Sequence, residues 1–211
     1  DGGEAALANP SHTYLVPGTY NSILTVTDAR RALSRDTVVV TVTPLSAFPV
    51  TSVLDNFNRA DGALTSPWVG QIAGLAVSTN ALVQSGSGYI TPVWNGAVFG
   101  ADQEVYVTLS AITATSPEHD LLLKTQGLNG TDGHIEVRYD NPAKSVFVST
   151  FTPGTGWRLW GTLTNTTFVA NDILGARALV NGDVEVFRNG IKLTTFSVAG
   201  WTFAARFTAR T

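Results

Sequence analysis

Residues 181–190 read Asn181-Gly182-Asp183-Val184-Glu185-Val186-Phe187-Arg188-Asn189-Gly190, and this decade decides the fold class. Asn-Gly is the favoured pair for a two-residue type I′ hairpin turn, because both central positions need positive φ and these two residues tolerate it best. Two such pairs bracket "DVEVFR", so the segment reads as a strand entered and left through hairpin turns. A third pair, Asn129-Gly130, gives another legible turn.

Outward from this decade the same texture continues. Strand-like stretches run over Leu75 to Val83, Gly88 to Val93, Glu104 to Ile112, Asp120 to Gln126, His134 to Tyr139, Ser145 to Thr150, Arg158 to Leu163, Asp172 to Val180 and Lys192 to Val198. They recur about every ten residues with turn chemistry between them, which is the pattern of a sandwich or barrel. Ser85-Gly86-Ser87-Gly88 reads as one of those turns. No segment sustains a helical period, and the chain is predicted to be all-β.

The first forty-odd residues carry a second, separate pattern. Tyr20, Ser22, Leu24 and Val26 alternate with Asn21, Ile23, Thr25 and Thr27, and residues 37–43 form the β-branched run "TVVVTVT". Two strands are expected, joined by a turn over Asp28 to Ser34, with Pro17-Gly18 turning into the first. Pro44 and Pro49 then remove ladder donors and favour an extended linker. The expected organisation is a domain over 1–43, a linker over 44–51 and a domain over 52–211.

Composition narrows the function classes. Of the 211 residues 44% are hydrophobic, enough for a core, while only 14% are charged, against roughly 25% in ordinary soluble domains. Thr, Ser, Asn and Gly supply the polar surface, as in extracellular β-proteins. Cysteine is absent, which excludes disulfides, thiolate nucleophiles and thiolate metal sites. Methionine is absent as well, which fits a processed product or a segment of a longer precursor. The formal net charge of -3 and the lack of a basic patch argue against a nucleic-acid partner. No apolar run reaches the ~18 residues of a membrane span.

Two family resemblances rest on particular residues. Asn9-Pro10-Ser11-His12-Thr13-Tyr14, Pro17-Gly18-Thr19-Tyr20 and Leu24-Thr25-Val26-Thr27-Asp28 resemble the second half of a PKD (polycystic kidney disease) Ig-like repeat. Asp1-Gly2 is similar to the end of the central turn of that repeat, so the resemblance implies that strands of its first half are missing here. Residues 52–211 resemble the concanavalin A-like (lectin/glucanase, laminin-G-like) jelly rolls of secreted bacterial proteins. The matching residues are Asp55-Asn56-Phe57-Asn58-Arg59-Ala60-Asp61-Gly62 with Trp68, Phe99-Gly100-Ala101-Asp102-Gln103-Glu104-Val105-Tyr106, and Val184 to Gly190. The chain stops at Phe207-Thr208-Ala209-Arg210-Thr211, where such jelly rolls continue into a closing strand. Together the resemblances imply a partial Ig-like sandwich joined to a jelly-roll sandwich, located outside the cell or on its surface.

The search for chemistry is mostly negative. Enzymes of the laminarinase type on the jelly-roll fold carry Glu-x-Asp-x-x-Glu on one strand, and that motif is missing. Glu136 and Asp140 on "HIEVRYD" come nearest, with Arg138 between them, a pattern that also suits a solvated charge ladder. His12, His119 and His134 are scattered, and no Gly-x-Ser-x-Gly elbow occurs. No catalytic residue is assigned.

Two binding hypotheses remain. Jelly rolls of the resembled type often carry calcium, and Asp55, Asn58 and Asp61 offer hard oxygen ligands within seven residues; the alternative is that Asp61-Gly62 forms a turn and Asp55 bonds nearby backbone amides. No cofactor is required otherwise. Sugar binding combines an aromatic face with planar polar groups, since a pyranose presents C–H bonds to a ring and hydroxyls to amides and guanidinium groups. Trp94 with Asn95, and Trp157, Arg158 and Trp160 in "GWRLW", are the candidates. If that segment is extended, Trp157 and Trp160 point to opposite faces, with Arg158 on the side of Trp160. Trp68 and Trp201 read as core anchors.

The expected function is that of a non-catalytic surface module pair, binding a polysaccharide or surface glycan, with the PKD-like unit as spacer. One alternative is a structural subunit of a fibre, envelope layer or larger complex, whose half-domain is completed by a strand from another protein chain. The other is a glycosidase whose carboxylates meet only in three dimensions, with Glu136 and Glu185 as the residues to test.

Overall fold

The computed structural model describes residues 7, 12, 14, 18–42, 48–85 and 88–203. Asp1-Gly2, most of the segment 9–17, the Pro44 to Ala47 part of the expected linker, the middle of the Ser85–Gly88 turn and Phe207 to Thr211 lie outside the described residues. The chain divides into two compact units, residues 1–47 and 48–211. Every regular element among the described residues is a β-strand, so the protein is all-β.

In the first unit β1 (Gly18–Thr27) pairs antiparallel with β2 (Leu33–Val42), from Gly18 opposite Val42 to Thr27 opposite Leu33. Asp28 makes the turn: its carboxylate accepts hydrogen bonds from the Arg30 and Ala32 amides, each at 2.8 Å, while Arg31 takes a φ of 66°. The register puts Tyr20, Leu24 and Val26 on one face with Val38, Val40 and Val42. Leu24, Val26 and Val38 are each more than half exposed.

Among the described residues the second unit contains the other thirteen strands. Short pairs come first: β3 (Gly62–Ala63), β4 (Trp68–Gly70), β5 (Leu75–Ser78), β6 (Ala81–Gln84) and β7 (Pro92–Trp94), ordered β3-β5-β6 and β4-β7. The stretch Leu75 to Val83, read as one strand, is a hairpin. Thr79 and Asn80 both adopt positive φ, and Asp61 accepts the Thr79 amide at 2.8 Å; a side chain eighteen residues away in sequence thus holds the turn.

Two four-stranded antiparallel sheets follow. One has the order β12-β11-β10-β9, built from β9 (His119–Leu123), β10 (His134–Asp140), β11 (Ser145–Thr152) and β12 (Gly156–Leu163). The other has the order β15-β14-β13-β8, built from β8 (Gln103–Thr108), β13 (Ile173–Ala178), β14 (Asp183–Arg188) and β15 (Ile191–Ser197). Alternate residues of both sheets meet in one core: Leu121, Ile135, Val137, Tyr139, Val146 and Val148 from the first, and Leu174, Ala176, Val184 and Val186 from the second. Each fully buried aliphatic side chain contributes about 1.5–3 kcal/mol. The Tyr139 hydroxyl, inside this core, donates to Asn141 Oδ1 at 2.9 Å and accepts the Phe168 amide at 3.2 Å.

The outer face of the second sheet is covered by residues 48–51, which were expected in the linker. Phe48 stacks on Phe187 at 3.9 Å, and Gly175 leaves the space its ring occupies. Glu104 accepts the amides of Val50 and Thr51 and the Thr51 hydroxyl, at 2.8, 3.1 and 2.8 Å. Pro49 is compatible with this docking because its neighbours, not its own missing N–H, make the bonds.

Of the two turns that decided the fold class, one forms as expected. Asn189 and Gly190 both have positive φ, 52° and 83°, between Arg188 and its partner Ile191. At 181–182 only Gly182 does, at 90°, and the Gly182 amide bonds Leu179 O at 3.1 Å while the Leu179 amide bonds Asp183 O at 2.8 Å. That connection is a longer loop, in which Asn181 Oδ1 accepts the Asp183 amide at 2.9 Å. Among the described residues no helix is long and apolar enough to cross a membrane.

Candidate functional site

The sequence around the first sheet's edge builds a groove. After β11, Pro153-Gly154 makes a turn in which the Thr155 amide bonds Thr152 O at 3.1 Å and Gly154 takes a φ of 81°, the arrangement a type II turn demands of Pro then Gly. Strand β12 returns along β11 with Phe151 opposite Trp157, Thr150 opposite Arg158 and Ser149 opposite Leu159. Val148 is then opposite Gly161, so Trp160 is an extra residue, a β-bulge.

The bulge sets three side chains to different tasks. Trp160 packs against the core, and its indole N–H donates to Thr150 Oγ1 at 2.9 Å. Arg158 lies over the Trp160 ring with its guanidinium carbon 3.7 Å from the centroid. Trp157 turns to the other face and is 55% exposed. Its indole is held there by edge contacts to Phe151 and His134, with centroids 5.3 and 5.2 Å away.

The resulting groove has a volume of about 410 Å³. Its walls are Trp157, Arg158 and Trp160 on one side and Gly200, Trp201 and Thr202 on the other, with Thr150, Thr152, Thr155 and Gly156 completing it. Trp201, read from sequence as a core anchor, is both: it is buried and lines the groove, donating its indole N–H to Thr152 Oγ1 at 2.8 Å. The groove thus presents the Trp160 indole, a guanidinium stacked on it and several hydroxyls, and among the described residues no carboxylate lines it.

The same sheet carries acidic groups on its outer face. Beyond the Trp157–Phe151–His134 rung lies Leu159–Ser149–Glu136–Leu122, then Thr162–Phe147–Arg138–Asp120. Asp120 is exposed at the sheet surface, yet desolvation by its neighbours, followed by the charges of Glu136 and Glu118, pushes its carboxyl up to about 8. Burial and then Glu118 push Glu136 up to about 7. Arg138 opposes both shifts and pairs with Glu118 at 3.1 Å. His134 is buried, its Nδ1 has no hydrogen-bond partner, and burial pushes it down to about 4.

Asp120 is the member that sequence reading missed. It comes from β9, and only the cross-strand register brings it diagonal to Glu136. Asp140, chosen by spacing along β10, instead accepts the Ala143 amide at 2.9 Å and shapes the following turn. Glu185 belongs to the buried ion network on the outer face of the other sheet, bonded to Arg177 and Lys192.

The remaining predicted residues fall elsewhere. Trp94 and Asn95 do not line the groove. Trp94 pairs with Trp68 across β4-β7 and packs edge-on against it at 5.2 Å, and the Asn95 amide bonds Pro67 O. Asp55 is saturated by protein: it accepts the Phe57 amide at 2.8 Å, the Trp68 indole at 2.8 Å and Arg59 at 2.8 and 3.0 Å. Partial burial pushes its carboxyl up, but the bonds from Arg59, Trp68 and Phe57 outweigh that and hold it below the usual range. Asp61 is bonded to Ser78 and Thr79, and the Asn58 amide donates to Asn56. These residues do not fit a calcium site, since a cation at Asp55 would first have to displace Arg59. Among the described residues no group of three His, Asp or Glu side chains is placed to hold a metal ion.

Compared with protein-family models, with curated proteins and with solved structures, the chain matches none of them.

Proposed function

We propose that the second unit is a carbohydrate-binding module of a secreted or cell-surface protein, on a concanavalin A-like scaffold, with the PKD-like first unit as spacer. The observation that carries this reading is the groove in which Arg158, stacked on Trp160, stands with Trp201 and several threonine hydroxyls. The Trp160 indole offers apolar surface to sugar C–H bonds. Arg158 and the threonine hydroxyls offer the hydrogen bonds that orient a ring so stacked. Affinity electrophoresis of the full chain through a panel of polysaccharides tests it: retention by at least one glycan, lost when Thr155→Trp fills the groove with the melting temperature unchanged, is expected. Unretarded migration through the whole panel would refute it.

One observation favours glycoside hydrolysis as a second reading. Asp120 and Glu136 are diagonal neighbours on one sheet face with carboxyls raised to about 8 and about 7, so between those values Asp120 holds a proton, as a general acid does, while Glu136 is ionised, as a general base is. Release of reducing ends from a bound glycan, abolished by Asp120→Asn with binding retained, would establish it; no release at any pH between 4 and 9 would dismiss it.

A further inference from the structure

We infer that the groove selects acidic glycans, gripping an oxyanion on the sugar, either a uronate carboxylate or a sulfate ester. The inference rests on the carbohydrate-binding reading and adds the ligand's chemistry to it.

The first ground is the state of Arg158. In the second unit Arg59, Arg138, Arg177 and Arg188 all form ion pairs with carboxylates. Arg158 forms none among the described residues; its guanidinium lies instead over the Trp160 ring, 3.7 Å from the centroid. Stacking holds the guanidinium plane while leaving its N–H edge open, and a planar fork of donors matches a carboxylate or sulfate better than it matches a single hydroxyl.

The second ground is the direction of the hydrogen bonds. Thr150 Oγ1 and Thr152 Oγ1 each accept an indole N–H, from Trp160 and Trp201. A hydroxyl that accepts still has its own proton to give, and neither threonine gives it to a protein acceptor among the described residues. Thr150 is fully buried and out of a ligand's reach, so the hydroxyl that offers its proton to the groove is that of Thr152, which is partly exposed. With Arg158 beside them and no Asp or Glu in the lining, the groove offers donors in excess of acceptors. A neutral sugar hydroxyl both donates and accepts and leaves that excess unused. An oxyanion only accepts, and uses it.

The third ground is contrast with the rest of the molecule. The chain carries a formal net charge of -3, so long-range attraction does not draw polyanions to it. Binding of an acidic glycan would therefore report the local site.

The test is isothermal titration of the full chain with four polymers: polygalacturonate for the uronate, dextran sulfate for the sulfate ester, and dextran and laminarin as neutral glycans. Polygalacturonate or dextran sulfate is expected to bind more tightly than both neutral polymers, and which of the two does so identifies the source of the oxyanion. Arg158→Met, which keeps an apolar chain over Trp160, should weaken acidic binding about tenfold, the scale of losing a forked charge-assisted bond, and leave neutral binding unchanged. Arg158→Lys should recover only part of the loss. Arg30→Met removes the same charge from the first unit and should change nothing, which separates the groove from general ion exchange. Neutral polymers binding as well as acidic ones, or Arg158→Met binding acidic polymers as wild type does, would overturn the inference and leave the carbohydrate reading standing. If none of the four binds, both fall.

Discussion

Replacing Arg177 with Met should destabilise the second unit more than almost any other single change. The side chain is 7% exposed and bonds Glu104 at 2.7 Å and Glu185 at 3.4 Å, carboxylates that are themselves 4% and 7% exposed. Its guanidinium also lies 5.5 and 5.3 Å from the rings of Phe48 and Phe187. Methionine would fill much of the volume but leave buried Glu104 without a cation and Glu185 with only the half-exposed Lys192. Breaking a buried pair in this way costs about 3–5 kcal/mol, which for a unit of this size lowers the melting temperature by roughly 6–20 °C. Urea unfolding followed by tryptophan fluorescence measures it cleanly, because Trp68, Trp94, Trp157, Trp160 and Trp201 all lie in the second unit.

The loss should also depend on pH. Partial burial pushes Glu104 up, but Arg177, Thr51 and Val50 together hold it below its ordinary value of 4.5. A carboxylate depressed on folding stabilises above its unfolded pKa, and that stability disappears as pH falls through the folded value. The difference between wild type and Arg177→Met should therefore be full at pH 7 and shrink as pH falls, first where the unpaired, buried Glu104 of the variant takes up a proton above 4.5 and further as the wild-type carboxylate protonates below it. Adding Glu104→Gln should recover part of the loss at pH 7. A loss under about 1 kcal/mol, or one constant from pH 7 to pH 4, would refute the claim that uncompensated buried charge is its cause.

Two further outcomes follow from other buried or crowded groups. Tyr139→Phe removes the hydroxyl that accepts the Phe168 amide and should cost about 1–3 kcal/mol in the same urea assay, because the amide is left buried without a partner. Asp120 and Glu136 work in the opposite sense to Glu104: both have raised values, about 8 and 7, so the folded state holds protons that the unfolded state has released. Their contribution makes stability fall as pH rises from about 4 to about 8, and Asp120→Asn should flatten that decline in melting scans across the range; an unchanged slope would count against the crowding of these carboxyls.

Much of the second unit was legible because strand alternation and turn chemistry are local. Ile135, Val137 and Tyr139 alternate with Glu136, Arg138 and Asp140, and all three of the former are in the core. The opposite-face reading of "GWRLW" also follows from period two: Arg158 and Trp160 share the groove side while the Trp157 ring packs on Phe151 and His134 across the sheet. Other readings failed where a distant group decided the local conformation. Leu75 to Val83 is divided by a turn that Asp61 bonds, Asn181-Gly182 opens into a longer loop, and Phe48 to Thr51 docks because Glu104 collects their donors.

By itself, then, the sequence determined that the chain is all-β, where most of its strands run and which residues in them face inward, since each of these depends on neighbours a few positions apart. Tertiary structure alone decided that Asp120 stands diagonal to Glu136, that Arg177 bridges Glu104 and Glu185, and that Trp201 lines one groove with Arg158 and Trp160. Those are cross-strand registers and sheet-to-sheet contacts. They are set by which strand pairs with which, and by one extra residue at Trp160, and period-two patterning looks the same for every such choice.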